Sequence, residues 1–75
     1  MKRIVLDKKF QKEIFEQLLE KFPMDKLKET LEVNQPSIYH IKNGRINSIN
    51  LKNFQKVQKL LNLSEEKLRV NTIKI

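Results

Sequence analysis

The chain has 75 residues, with sixteen Lys and Arg against nine Asp and Glu, a formal net charge of +7, 39% apolar residues and no Cys. So short a chain buries only about 60% of the surface its unfolded form exposes, and one His with no Cys cannot supply an ordinary metal or hydrolytic constellation, so no catalytic residue, metal or cofactor is expected. No apolar run approaches a bilayer span and the start is too short in apolar residues for a secretory signal, which leaves the expectation of a soluble, cytoplasmic, basic domain suited to an anionic partner.

The first predicted helix begins at Asp7, a competent N-cap, and runs to about Lys21. Phe10, Ile14 and Leu18 recur at four-residue spacing, and Phe15, Leu19 and Phe22 broaden that stripe. Pro23 ends it and suits the first turn of a second helix, Met24 to Leu31, which carries Leu27 and Leu31 on one face. Asn34 is a natural cap for the next helix, and Pro36 falls in its first turn, where a missing N–H costs nothing. Ile38 and Ile41 share one face of this third helix, while Gln35, Ser37, Tyr39, His40 and Lys42 point elsewhere. Gly44 stands just past its end, where a left-handed residue is often required.

A polar connection, Arg45 to Asn50, leads to a fourth helix from about Leu51 to Leu61, with Leu51, Phe54, Val57 and Leu61 inward. Ser64 caps a last helical turn whose Glu65 and Glu66 suit the helix dipole. The two ends, Lys2 to Leu6 and Val70 to Ile75, are rich in β-branched residues and suit pairing as short strands, within one chain or between two. No internal repeat, low-complexity tract or glycine-rich phosphate loop interrupts this single domain over residues 1–75.

Charge is unevenly spread. Residues 1–40 hold eight basic and seven acidic side chains and are expected mainly to build the core, whereas residues 41–75 hold eight basic and two acidic ones. No acid occurs between Glu32 and Glu65, a window that carries Lys42, Arg45, Lys52, Lys56 and Lys59 with Asn or Gln at nine further positions. Cations without carboxylates, interleaved with amides, suit a phosphate-lined surface.

The stretch from Leu27 to Gly44 resembles the Cro/C1-type (XRE-like) helix-turn-helix family. The likeness is carried by apolar positions at Leu27, Leu31, Val33, Ile38 and Ile41, together with Gln35, Asn43 and Gly44. The resemblance continues through Leu51 to Leu63 and Ser64 to Leu68, so it covers roughly residues 8 to 69. It implies an all-α, lambda-repressor-like domain of four to five helices, to which the terminal strands would be added. Three positions depart from the family pattern: Lys28 replaces a small residue, Glu32 replaces the glycine of the turn, and Met24 replaces a phosphate-contacting Gln. A positive φ at Glu32 would cost on the order of 1 kcal/mol.

In such a motif the second helix enters the major groove with its N-terminal side chains toward the bases. The resemblance therefore implies base readout by Gln35, Ser37, Tyr39 and His40, with Gln35 able to pair bidentately with adenine. Asn34, Lys42, Asn43, Arg45 and Lys52 are cast as phosphate contacts. Plainer roles stay open: Gln35 as a first-turn polar residue, Tyr39 folded onto the first helix, Asn43 as a helix terminus, Lys56 and Lys59 as a solvated face. The implied function is sequence-specific binding of double-stranded DNA by a small, nucleoid-associated transcriptional regulator or repressor, working as a homodimer and not as an enzyme. The alternative is a protein-interaction module, such as an antitoxin subunit, or the DNA-targeting fragment of a larger protein.

Overall fold

The computed structural model describes residues 2–74. It is mostly helical, with five helices and a small three-stranded sheet. The order is β1 (Arg3–Leu6), α1 (Lys8–Lys21), α2 (Met24–Leu31), α3 (Gln35–Lys42), β2 (Ile49–Asn50), α4 (Leu51–Leu61), α5 (Glu65–Asn71) and β3 (Thr72–Lys74). Among the described residues no helix is long and apolar enough to cross a membrane.

The helix limits follow from local chemistry. The Asp7 carboxylate accepts from the N–H groups of Lys9 and Phe10 at 3.1 and 3.2 Å, satisfying two of the donors that open α1. Phe22 and Pro23, both extended, separate α1 from α2. Asn34 caps α3, Asn50 caps α4 and Ser64 caps α5, each accepting from N–H groups two or three residues on. Asn62 and Glu32 end α4 and α2 in the left-handed region, both at φ 54°.

The core is one cluster built from the stripe of α1 (Phe10, Ile14, Phe15, Leu18) and paired residues of its neighbours. These are Leu27 and Leu31 of α2, Ile38 and Ile41 of α3, and Phe54 and Val57 of α4. Burial of each such side chain contributes about 1.5–3 kcal/mol. Leu51 and Leu61, expected inward, are half-buried and pack at the margin of this cluster.

The sheet decides one open expectation and corrects two others. First, β1 lies at the centre of an antiparallel sheet of order β2-β1-β3, so the two termini pair within one chain and the fold is not purely α. Ile4 and Leu6 alternate into the core, while Arg3 faces out, as a strand with one covered face requires. Second, the polar connection contains a strand: Ile49, opposite Ile4, is buried, and this short strand runs directly into the Asn50 cap. Third, α5 extends to Asn71, so Val70 is helical and β3 begins only at Thr72. The Asp7 N–H donates to the Asn71 carbonyl at 2.8 Å, tying the helix end to the chain start. Ile75, the last residue of the expected C-terminal strand, lies outside the described residues.

Candidate nucleic-acid interface

The α2–α3 unit is set by its turn, Glu32-Val33-Asn34. Glu32 adopts φ 54° and ψ 43°, which reverses the chain as glycine would, and the Val33 N–H donates back to the Lys28 carbonyl at 3.3 Å. Asn34 then returns to the extended region, and its side-chain oxygen accepts from the Ser37 N–H at 3.1 Å and the Ser37 hydroxyl at 2.7 Å. Asn34 and Ser37 are thus already coupled to each other in closing the start of α3.

Two buried amides hold this unit against the rest. Gln11, only 2% exposed on α1, donates through Nε2 to the carbonyls of Ile41 at 2.7 Å and Ile46 at 3.0 Å. The end of α3 and the loop beyond it are therefore fixed to α1. Asn53, 6% exposed on α4, donates through Nδ2 to the Leu31 carbonyl at 2.9 Å and fixes the end of α2; its Oδ1 is buried and finds no donor among the described residues. Satisfied buried donors of this kind specify orientation, since an unmade bond there would cost about 1–3 kcal/mol.

With Ile38 and Ile41 buried, α3 turns its polar residues outward. Gln35 is exposed, and Tyr39 is 39% exposed. Ser37, His40 and Lys42 are half-buried, while Asn34, Asn43, Arg45 and Lys52 are exposed. Asn43 also ends α3, its N–H donating to the Tyr39 carbonyl at 2.9 Å. Gly44 follows at φ +79°; a Cβ there would stand 3.8 Å from Lys8 Cδ, so the backbone angle and not space calls for glycine.

These residues fall into separate places. Ser37 borders a cleft of about 210 Å³ beside Arg3, Glu32, Ser48 and Asn50. There the Arg3 guanidinium donates to the Ser48 hydroxyl at 2.7 Å and the Ser48 carbonyl at 2.8 Å. Lys52 stands with Lys2 and Gln55 near the start of α4. Lys42 and Asn43 adjoin Lys8, Lys9 and Lys12 of α1. Arg3 and the three α1 lysines escape a reading of residues 1–40 as nearly neutral, because their placement depends on which elements pack together.

The amides also divide. Asn34 and Asn50 cap helices, Asn43 and Asn62 end helices, and Asn53 and Gln58 donate to the carbonyls of Leu31 and Leu63, so six of the nine in the acid-free window have backbone tasks. Among the described residues no group of His, Cys, Asp or Glu is arranged to hold a metal ion. No protein-family model matches the chain, and no curated protein or solved structure matches it.

Proposed function

We propose that this protein binds double-stranded DNA in a sequence-specific manner, with α2 and α3 acting as a helix-turn-helix of the Cro/C1 type. The observation that carries the proposal is the setting of α3: anchored by Ile38, Ile41 and the Gln11 bonds, it leaves Gln35 and Tyr39 exposed near its N-terminus, with Lys42, Asn43 and Arg45 following. That is the arrangement a recognition helix needs, with base-reading groups at one end and phosphate-seeking groups around it. Gln35 is the principal base reader, assisted by Ser37, Tyr39 and His40. Asn34, Lys42, Asn43, Arg45 and Lys52 fix the register on phosphates.

A small transcriptional regulator acting as a symmetric pair fits best, because one recognition helix makes few base contacts and paired half-sites multiply them. The outer strand β3, with Ile73 67% exposed and Val70 77% exposed beside it, is the surface for that pairing. The protein carries out no chemical step, and its place is on cytoplasmic DNA.

Selection from a random duplex pool, followed by sequencing, is the test. An enriched palindrome with half-sites about one helical turn apart is expected. Gln35→Ala should weaken the enriched site by roughly 1–3 kcal/mol and random DNA hardly at all. Equal losses on both would remove Gln35 from base readout, and a pool with no enrichment would remove sequence-specific binding altogether.

A further inference from the structure

Three lysines sit at the wrong end of α1 for helix stability. The N-terminus of a helix is its positive end and favours carboxylates, yet the first turn of this 14-residue helix holds no acid and opens with Lys8 and Lys9, with Lys12 one turn on. The packing of α1 on α3 brings all three beside Lys42, Asn43 and Gly44 around a shallow cleft of about 320 Å³. Among the described residues, none of these four ammonium groups forms an ion pair or a hydrogen bond. The nearest carboxylates by sequence are otherwise placed. Asp7 faces the N–H groups of Lys9 and Phe10, while Glu13 and Glu16 follow Lys9 and Lys12 by four residues, the less favourable order for helix pairing.

The fold gains little from this gathering. One cation in the last turn of α3 answers its negative end, and Lys42 already provides it. Lys8 brings its Cδ near Gly44, but that approach needs a methylene and not a charge. An anion at this place would relieve the mutual repulsion of four cations.

We propose that Lys8, Lys9 and Lys12 grip the phosphodiester backbone flanking the groove that α3 enters, an extension of the contact that rests on the DNA-binding function proposed above. Lys8 and Lys12 are separated by about 6 Å along the helix, and phosphates of one strand recur about every 3.4 Å of duplex axis, so the patch can meet two. The α1 lysines thereby add sequence-independent affinity to a site read by α3.

The test compares the wild-type protein with a combined Lys8→Gln, Lys9→Gln, Lys12→Gln variant, the matching triple Lys→Arg variant, and Gln35→Ala. Each is titrated against the selected duplex and a random duplex at several salt concentrations. Each phosphate contact contributes about 0.9 to the slope of log K against log[salt], or about eight-fold in affinity at 0.1 M salt relative to 1 M. The triple Gln variant should lose about 2–3 from that slope and bind both duplexes equally more weakly, the triple Arg variant should bind as wild type, and melting temperatures should hold or rise. A triple Gln variant with the wild-type slope, alongside a Gln35→Ala that still loses site preference, would overturn the lysine grip while leaving α3 readout standing. A lowered melting temperature with an unchanged slope would assign the lysines to the fold and overturn it equally. A wild-type protein that binds neither duplex would overturn both.

Discussion

Glu32 offers a direct measure of how strictly the turn before α3 is imposed. Its φ of 54° and ψ of 43° lie in the left-handed region, where an L side chain costs roughly 1–2 kcal/mol. Glu32→Gly would remove that cost but loosen the unfolded chain by about 0.5–1 kcal/mol, leaving a net gain of about 0.5–1 kcal/mol. The side chain is exposed and forms no hydrogen bond or ion pair among the described residues, so little else is lost. For a domain of this size 1 kcal/mol corresponds to about 4–8 °C, so Glu32→Gly should melt roughly 2–8 °C higher. Circular-dichroism melts of the wild type, Glu32→Gly, Glu32→Asn and Glu32→Gln separate conformation from charge, because Gln keeps the Cβ and removes only the carboxylate. The expected order is Gly highest, Asn next and Gln close to wild type, following their tolerance of positive φ. Gly melting at or below wild type, or Gln matching Gly, would refute a backbone origin for the strain.

Other expectations follow from the buried amides and from the open edge of the sheet. Gln11→Met keeps volume but withdraws both donors, so it should cost about 1–3 kcal/mol in urea unfolding and speed amide exchange around Asn43 to Ile46, next to the carbonyls it releases. Asn53→Leu removes one donor together with an Oδ1 that meets no donor among the described residues, so its cost in the same assay should be smaller than that of Gln11→Met, about 1 kcal/mol or less. Ile73→Lys charges an exposed residue of β3 and should abolish self-association in sedimentation without lowering the melting temperature; a monomeric wild type, free and on a palindromic duplex, would instead remove the pairing.

Helix boundaries were legible because each is written in neighbouring residues. Asp7, Asn34 and Ser64 perform as caps, Pro23 separates two helices and Gly44 takes a positive φ, all of them effects that act within a few residues. The apolar stripe of α1 was legible for the same reason. What escaped depends on contacts distant in sequence. Ile49 reads as part of a polar loop until Ile4 stands opposite it, and Gln11, to which the sequence assigns no role, bonds to the Ile41 carbonyl 30 residues away. Its position on the stripe, three before Ile14, was the available signal. Asn53 misleads in the opposite direction: an amide in a basic window suggests a phosphate contact, and burial turns it into a brace for α2.

The candidate site shows the same division between local and distant. The polar face of α3 follows from two buried isoleucines at three-residue spacing, and hence from sequence. Which cations surround that face follows from packing, and packing redraws the acid-free window. Lys42 and Asn43 belong with lysines of α1, Lys52 belongs with Lys2, and Ser37 belongs with Arg3. A charge count along the chain therefore understates the basic surface near α3, because acids on α1 are averaged with lysines they do not pair with. If the surface serves phosphate binding, salt dependence should report the larger set, and the first turn of α1 is where the two counts part.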